Sequence, residues 1–332
     1  MPQTDCIPFD YRAHAYEVAK AMQAIDHVLI LAHVNLDGDA LGSLVACALM
    51  LRAMDKKVVL ASPSGVPEFL SFYPLPMPVF RDPSDCPFTP KTAFLLDLGT
   101  FSRVGESFRS LAQNLERINV DHHEGSGIGT LATWVEPNAA STTELMAYVA
   151  MALGQSLTGP LAQAIALGLV TDTGGYSHAN TSAHVFDLSA HLVRNGCDIA
   201  SLRSDLDSNI RRERMLLWAR LAPKVRFLNE GRIAICAICE EDFAATGANR
   251  SDSEGFVEYM LRLKGVALSA LVREQEGGCK FSLRSQPSLD VWDIANRLGG
   301  GGHRNAAGGT LSLPLDASVS LLTDTILEHT FF

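Results

Sequence analysis

The fold of this chain is decided by the stretch His33-Val-Asn-Leu-Asp37-Gly-Asp39, which directly follows the apolar run Val28-Leu-Ile-Leu-Ala32. The run is typical of a buried strand, and a helical pattern with Asp39 as its predicted N-cap follows. A strand that leads into a helix in this way delivers one imidazole and two carboxylates to its carboxyl end. Ligands bind at that edge in open α/β sheets. Because imidazole and carboxylate oxygen suit Mn, Mg, Zn or Fe, we expect metal chemistry here.

Strand and helix patterns alternate over the first 200 residues. Strands separated by helices indicate a doubly wound parallel sheet, and a capping box at Ser141-Thr-Thr-Glu144 marks the start of one helix. After a charged helical stretch the pattern becomes that of a smaller α+β domain. We predict an α/β protein with a metal-binding domain over 1–200, a helical linker over 201–226 and a substrate-binding domain over 227–332, with the active site in the cleft between the domains.

The composition is that of a folded protein, with 47% hydrophobic and 19% charged residues among 332. The net charge of −10 argues against broad, non-specific nucleic-acid binding, although a pocket with a few arginines is compatible with it. The absence of a signal-peptide pattern and of a long apolar run predicts a cytoplasmic protein with no membrane partner. Seven scattered cysteines fit reduced thiols, and we interpret Cys236 and Cys239 as core residues.

Three further segments place acidic or imidazole groups at the ends of predicted elements. They are Asp97 after a strand, Asp121-His122-His123 after another strand, and Asp172 after an apolar helix. If the strands are parallel, these groups meet the first stretch at one edge of the sheet. Six or seven metal-capable groups exceed the needs of one ion, so we expect two ions bridged by one carboxylate. Such a pair makes hydroxide near neutral pH and holds an anionic phosphorus centre for in-line attack.

Structural roles are the alternative for single members of this set. A lone aspartate at a strand end is usually a turn or N-cap residue, and we interpret the histidines outside these segments as structural. Adjacent side chains on extended backbone point in opposite directions. One of His122 and His123 would therefore bind metal while the other faces substrate or a neighbouring ligand, and the residues themselves leave open which does which.

The four segments resemble the four motifs of the DHH phosphoesterase superfamily. The segment Gly299-Gly-Gly-Gly-His303-Arg-Asn-Ala-Ala-Gly308 resembles the signature of the DHH-associated C-terminal domain. The five motifs occur in the expected order between residues 33 and 309. A compact two-domain chain is similar to the branch of nanoRNases and 3′-phosphoadenosine-5′-phosphate (pAp) phosphatases. Leu36 stands where proline is common, at a position that offers no ligand.

This resemblance implies two divalent cations, most commonly Mn²⁺. The implied ligands form two sets with one shared member: His33 and Asp37 for one ion, Asp39, His122 and Asp172 for the other, and Asp97 between them. The resemblance further implies that Asp121 orients His122. It implies that His123 contacts the scissile phosphate or assists the leaving group.

Substrate contacts are predicted in both domains. Arg103 matches an arginine common in this branch and would neutralise substrate phosphate; its alternative is a solvated arginine in a predicted helix over Ser102–Leu115. In the second domain, four consecutive glycines in a loop would let backbone N–H groups approach an anion, and Arg284 would fork onto a terminal phosphate. The residues predicted to bind substrate there are Arg284, Ser285, Gly301, Gly302, His303 and Asn305.

We therefore expect a Mn²⁺-dependent phosphoesterase that degrades RNA oligonucleotides of about two to five residues to mononucleotides, with hydrolysis of pAp to AMP left open. Its expected partners are short oligoribonucleotides or nucleotide bisphosphates. The alternatives are a RecJ-like exonuclease on long single strands, a soluble phosphodiesterase for cyclic dinucleotides such as c-di-AMP and their linear products, a manganese pyrophosphatase, and a binding protein that kept the fold. A homodimer is a further possibility, based only on how common two-fold symmetric dimers are among soluble proteins.

Overall fold

The computed structural model describes residues 7–329 except Asn209, and it describes the backbone but not the side chain of His303. The chain divides into two units, Met1–Asn209 and Ile210–Phe332. Each unit has its own sheet of six strands.

Six parallel strands form the sheet of the first unit: β1 (Val28–Leu31), β2 (Val58–Ala61), β3 (Val79–Phe80), β4 (Thr92–Leu96), β5 (Glu116–Asp121) and β6 (Ala132–Val135). Their order in space is β3-β2-β1-β4-β5-β6. The strand order therefore reverses between β1 and β4, which pair directly, with Leu31 opposite Leu95. This is the switch point of a doubly wound sheet, where the carboxyl ends of the strands open a crevice. The predicted doubly wound parallel sheet is confirmed.

Seven helices accompany these strands among the described residues of the first unit: α1 (Phe9–Ala24), α2 (Gly38–Arg52), α3 (Glu106–Asn114), α4 (Thr142–Ala152), α5 (Gly159–Asp172), α6 (Ala183–Arg194) and α7 (Ile199–Ser208). Both faces of the sheet are covered. Ile30 and Phe94 are buried in the core that includes α2, α4 and α5, whereas Leu29 and Leu95 are buried in the core that includes α3. Burial on both faces explains why β1 is apolar throughout.

The helix predicted over Ser102–Leu115 is shorter in the structure. Phe101–Arg103 form a 3₁₀ turn, and α3 begins only at Glu106. Gly105 separates the two because its φ of +84° is incompatible with a right-handed helix. Arg103 therefore lies in a tight turn before the helix rather than within it.

Glycines allow α2 and α5 to pack closely. A Cβ atom at Gly42 would lie 2.4 Å from the carbonyl oxygen of Ala164, and one at Gly38 would lie 2.3 Å from the side chain of Thr171. Neither glycine has a positive φ, so space rather than conformation requires glycine here. The contact places the beginning of α2 beside the end of α5.

The second unit has a mixed sheet of six strands: β7 (Arg226–Leu228), β8 (Ile233–Ile238), β9 (Leu268–Gln275), β10 (Gly278–Ser285), β11 (Gly301–His303) and β12 (Ala306–Leu311). Their order is β11-β12-β10-β9-β8-β7, and only β8 and β9 pair in parallel. Its helices are α8 (Arg212–Leu221), α9 (Glu240–Thr246), α10 (Phe256–Leu261), α11 (Trp292–Arg297) and α12 (Leu315–His329). Ile294 and Leu322 pack on one face of this sheet, and Leu217 and Met260 pack on the other. The predicted smaller α+β domain is confirmed.

The glycine segment predicted as a loop at Gly299–Gly309 contains strands β11 and β12 instead. Gly302 has a φ of +136°, and a Cβ atom there would lie 2.6 Å from the carbonyl oxygen of Ala306. The amide groups of Gly299 and Gly300 donate to carbonyl groups at the end of α11. Glycine at position 302 thus allows the tight β11–β12 hairpin. The amides of Gly299 and Gly300 are used at the end of α11 and are not free to bind an anion.

The stretch 201–226, predicted as a linker, consists mainly of the end of α7 and the whole of α8. Leu202 of α7 is buried in the core of the first unit, and Leu217 of α8 is buried in that of the second. Among the described residues, we find no helix with the length and apolar character needed to cross a membrane.

We expect Gly42→Ala to destabilise the protein although alanine is the better helix former. The added Cβ would overpack the α2–α5 contact at a cost of about 1–3 kcal/mol, more than the gain of roughly 1 kcal/mol in helix propensity. Urea unfolding measures the change in free energy. Gly301→Ala is the control, because nothing lies within 4 Å of its Cβ position. Equal stability of the Gly42→Ala and unsubstituted proteins would contradict the packing argument.

Candidate metal centre

The switch point of the first sheet carries the side chains that the sequence singled out. His33 follows β1, Asp97 follows β4 and Asp121 ends β5, the next strand in the sheet. Asp97 has a φ of +55°, a conformation that non-glycine residues rarely adopt and that tends to occur at functional sites. The topology therefore gathers groups that are far apart in sequence at one edge.

Asp37 divides its carboxylate between two partners at the beginning of α2. Its Oδ1 accepts a hydrogen bond from the amide of Ala40 at 2.9 Å, which caps the helix. Its Oδ2 lies 3.4 Å from Nε2 of His33. The cap fixes the direction of the side chain, and one oxygen stays available for a ligand. The sequence predicted Asp39 as the N-cap, two residues after the true position at Asp37.

Asp39 is fully buried and is held by the beginning of α4. Its Oδ2 accepts from the amide of Thr142 at 2.7 Å, and its Oδ1 accepts from the amide of Thr143 at 2.9 Å. The first amides of a helix lack partners within the helix and favour an anion. The sequence missed these two threonines as supports, although the capping box at Ser141 marked this helix start.

His33 faces two carboxylates with Nε2, the ring nitrogen that carries no hydrogen when the imidazole is neutral. Its Nδ1 lies 2.8 Å from the carbonyl oxygen of Val34 and must donate to it, so the lone pair of the neutral ring is on Nε2. This atom is buried, lacks a hydrogen-bond partner among the described residues, and lies 3.1 Å from Asp97 Oδ2. A lone pair against carboxylate oxygens is repulsive unless a positive charge lies between them. The geometry fits a bound cation.

His122 repeats this arrangement on the other side of Asp97. Its Nδ1 lies 3.4 Å from the carbonyl oxygen of Ala139. Its Nε2 lies 3.3 Å from Asp172 Oδ2, 3.5 Å from Asp97 Oδ1 and 4.0 Å from Asp39 Oδ2. A backbone carbonyl that fixes one ring nitrogen and orients the other is the usual support of a metal-binding histidine.

Three sets of ligand atoms in the described residues come within 4.8 Å of one another: His33, Asp37 and Asp97; Asp39, His122 and Asp172; and Asp97, His122 and His123. Asp97 belongs to two of the sets, and its two oxygens face opposite histidines. Nitrogen and carboxylate ligands in this number suit two divalent cations that share Asp97. The residues present therefore fit the metal pair that the sequence predicts.

The charges of the cluster also favour cations. Burial and the neighbouring carboxylates of Asp39, Asp37 and Asp97 raise the pKa of Asp172 to about 10. Burial and Asp97 raise the pKa of Asp39 to about 6. Burial lowers the pKa of His33, but the adjacent carboxylates outweigh it and raise the value to about 10. Without metal, protons on His33, Asp39 and Asp172 reduce the negative charge that bound cations would otherwise neutralise.

Asp97 itself stays ionised among these groups. Its burial opposes ionisation, but His123 and His33 outweigh burial and hold the pKa of its carboxyl well below the usual range. Thr142 adds a hydroxyl donor at 3.3 Å from Asp97 Oδ1. The shared position is thus occupied by the carboxylate with the strongest preference for its charged form.

Asp121 contacts His123 rather than His122, which corrects the sequence prediction. Its Oδ1 lies 2.8 Å from Nδ1 of His123 and also accepts from the amide of His123 at 3.1 Å. The hydrogen bond to Asp121, with a further contribution from Asp97, raises the pKa of His123 to about 10. β5 ends at Asp121 and the chain bends at His123, which brings both the amide and the ring of His123 to the Asp121 carboxylate.

Asn180 connects the end of α5, which carries Asp172, with the segment before α4, and the sequence gave no sign of it. Its Nδ2 donates to the carbonyl oxygen of Asp172 at the end of α5 and to that of Ala140 just before α4, both at 3.1 Å. Ala139 and Thr142, which contact His122 and Asp39, flank the second acceptor. Asn180 therefore fixes the distance between Asp172 and the supports of its partner ligands.

The predicted substrate residues have mixed surroundings. Arg103 lies beside the first donor set through its backbone, since its carbonyl oxygen accepts from the amide of Val34 at 2.8 Å. In the second unit, Arg284 Nε donates to Glu258 Oε1 at 2.8 Å. Gly301 has open space around its Cβ position. The side chain of His303 lies outside the described residues.

Ser285 and Asn305 face each other within the second unit. The Nδ2 of Asn305 lies 2.9 Å from Ser285 Oγ, 2.9 Å from Gln286 O and 2.8 Å from Leu289 O. Ser285 Oγ in turn donates to Leu289 O at 3.1 Å. These contacts close the loop after β10, so the two side chains hold a loop where the sequence predicted direct contact with substrate.

Both units of the chain match known protein families. Residues 27–169 match the DHH family, N-terminal domain, and residues 232–327 match the DHHA1 domain. The bifunctional oligoribonuclease and PAP phosphatase NrnA of Thermus thermophilus is 32% identical over 321 residues, which cover 94% of this chain and 93% of the relative. A probable protein of the same name from Streptococcus mutans is 25% identical and covers 86% of this chain and 90% of its own.

The fold is shared with a solved structure. The crystal structure of an exopolyphosphatase-related protein from Bacteroides fragilis is 24% identical and matches with a TM-score of 0.88, over 95% of this chain and 96% of that chain. DHH enzymes depend on metal ions, and the clustered carboxylates and imidazoles of the first unit fit such ions. With both domain matches and a relative that spans nearly the whole chain, the protein belongs to the DHH family of phosphoesterases and carries a DHHA1 domain.

Proposed function

We propose that this phosphoesterase hydrolyses RNA oligonucleotides of about two to five residues to mononucleotides, with Mn²⁺ as cofactor and pAp as a second substrate. The observation that carries the proposal is the position of Asp97, which lies between two donor sets and directly beside His123. A shared carboxylate next to an oriented imidazole suits in-line attack on a phosphodiester. The names of the relatives from Thermus thermophilus and Streptococcus mutans support RNA and pAp as substrates.

The roles of the ligands follow from their geometry. His33, Asp37 and Asp97 would hold one cation, and Asp39, His122, Asp172 and Asp97 would hold the other. When bound, such a pair lowers the pKa of water and neutralises charge on the phosphoryl oxygens. The chain contributes the rigid frame: helix N-termini fix Asp37 and Asp39, and backbone carbonyls fix both imidazoles.

His123 is the residue proposed to contact the reacting phosphate. Its Nδ1 is held by Asp121 at 2.8 Å and lies 3.3 Å from Asp97 Oδ1. This leaves Nε2 for the substrate. A positioned imidazole can donate to a phosphoryl oxygen or protonate the leaving oxygen, and Asp121 keeps the ring in place for either role.

Recognition of the substrate phosphates is assigned to two arginines. Arg103, next to the first donor set, would neutralise the phosphate near the reacting bond. Arg284 keeps Nη2 without a hydrogen bond in the described part of the chain and would bind a terminal phosphate. Gly301, Gly302 and His303 stay predictions as substrate contacts, as do the cytoplasmic location and the homodimer.

Long single-stranded DNA and cyclic dinucleotides are the two alternative substrates, and rate measurements distinguish them from short RNA. Long single-stranded DNA is disfavoured by the net charge of −10, since binding along a strand needs an extended basic surface. Cyclic dinucleotides and their linear products offer the same phosphodiester chemistry as short RNA. Rates on pApA, on c-di-AMP and on a long single strand, measured with Mn²⁺ at equal concentration, rank the three.

With Mn²⁺, the protein should hydrolyse pApA faster than a long single strand. The Asp121→Ala variant should lose about 10²-fold or more in kcat with little change in KM, because the oriented imidazole acts in the transition state. Asp187→Ala, which removes an exposed aspartate of α6, is the matched control and should retain full activity. Absence of pApA turnover, or full activity of Asp121→Ala, would refute the assignment.

Asp172→Asn should flatten the pH dependence of stability in metal-free protein. A carboxyl whose pKa is raised from 3.8 to about 10 keeps its proton in the folded state after the unfolded state has lost it. The folded state then binds more protons, so stability falls as pH rises through this window. Asparagine removes this contribution. Urea unfolding in EDTA between pH 5 and pH 9 measures how the free energy of unfolding changes with pH. The same change per pH unit in Asp172→Asn and in the unsubstituted protein would contradict a raised pKa at Asp172.

Asn180→Asp should weaken Mn²⁺ binding while the fold is retained. The substitution replaces the two N–H groups that hold Asp172 and Ala140 with oxygen, and loss of such outer supports costs about 10–100-fold in metal affinity. Titration calorimetry with Mn²⁺ measures the affinity directly. Asn195→Asp, which changes an exposed asparagine at the end of α6, is the control. Equal affinities of the two variants would remove Asn180 from the metal centre.

A further inference from the structure

A polar pocket lies within the second unit and is lined only by residues of that unit. It has a volume of about 350 Å³ and lies between the sheet of β9 and β10 and the segment around the beginning of α10. Basic and hydroxyl side chains dominate its lining: Arg273, Lys280 and Arg284 with Ser253 and Ser282. Glu254 and Glu258 also line it. The pocket therefore has more basic than acidic groups.

The register of β9 and β10 places Arg273 directly opposite Lys280. Side chains directly opposite on one face of an antiparallel pair are neighbours, and like charges there are destabilising. An anion bound between the two side chains would relieve this repulsion. In the described part of the chain, neither cation has an ion pair with a carboxylate.

Arg273 is fixed as a binding group would be. Its Nη1 donates to Arg250 O and to Ser253 Oγ, both at 2.9 Å. Its Nε is buried and has no hydrogen-bond partner among the described residues. Burial, followed by the charge of Arg250, lowers the pKa of Arg273. The guanidinium is thus held by two acceptors through Nη1, while its buried Nε lacks one.

The acidic groups of the pocket do not supply that acceptor. Glu258 Oε1 accepts from Arg284 Nε at 2.8 Å, so Glu258 is already paired within the pocket. Glu254 is exposed at the rim. Lys280 is exposed and makes no hydrogen bond that we find in the described chain. The unmatched charge is concentrated on Arg273 and Lys280.

We propose that Arg273 and Lys280 form an anion site for a phosphate group, with the hydroxyl of Ser282 as a third donor. Ser282 and Lys280 are two residues apart on β10 and share a face. A planar guanidinium and an ammonium match the oxygens of a phosphate better than those of a smaller anion. The phosphate of an oligonucleotide is one source, which rests on the proposed function; free phosphate or a mononucleotide is another.

Titration calorimetry with metal-free protein tests the site without turnover. Inorganic phosphate, AMP and pApA serve as separate probes. Binding should weaken by roughly fivefold to tenfold in Lys280→Gln and in Arg273→Gln, since a charge-assisted hydrogen bond contributes about this much. Lys264→Gln is the matched control, because Lys264 is exposed on the same unit and does not line the pocket.

Lys280→Glu separates loss of the site from loss of the fold. The substitution places a carboxylate opposite Arg273, so the thermal midpoint should rise or stay constant while phosphate binding disappears. Tighter binding of pApA than of phosphate assigns the site to nucleotides, and equal binding assigns it to free phosphate. The proposal is wrong if none of the probes binds, or if Lys280→Gln and Lys264→Gln bind equally. Since no catalysis is involved, failure here leaves the proposed hydrolysis untouched, and an inactive enzyme leaves this site untouched.

Discussion

Negative charge buried at the carboxyl edge of the first sheet is the constraint on which the rest of the structure depends. Asp39 and Asp97 are almost completely buried, and Asp37 and Asp172 lie beside them. Buried carboxylates are costly unless each is paired and hydrogen-bonded. The amides at the beginning of α4 compensate Asp39, and imidazoles compensate Asp97. Asp172 is left without sufficient compensation, and a bound divalent cation would supply it.

The fold around this edge can be understood as a means of bringing three helix ends together. The beginnings of α2 and α4 provide amides for Asp37 and Asp39, and the end of α5 provides Asp172. A Cβ atom at Gly168 would lie 2.3 Å from Asp39 Oδ1. The glycine on α5 thus makes room for a ligand on α2. At this contact, the close packing of α2 on α5 and the position of the candidate ligand Asp39 both require glycine at position 168.

The cluster of candidate ligands could be predicted from the sequence because each lies at or near the end of an element with a clear pattern. His33 and Asp97 follow apolar strands, and parallel strands bring their carboxyl ends to one edge. Asn180 could not be predicted, since its two acceptors, Ala140 and Asp172, are 40 and 8 residues away and only the tertiary fold joins them. The sequence pairs Asp121 with the wrong histidine, because the bend after β5, which turns His123 back to Asp121, carries no clear sequence pattern.

The second unit shows where such prediction fails and where it could have gone further. Consecutive glycines are compatible with an anion loop and with a tight hairpin, because both need backbone without a side chain, and Gly302 serves the hairpin. The opposition of Arg273 and Lys280, by contrast, is implied by the turn. Two residues, Glu276 and Gly277, join β9 to β10, and Gly277 has a φ of +78°. Because loop length fixes the register of a hairpin, the position of Gly277 already pairs the two cations.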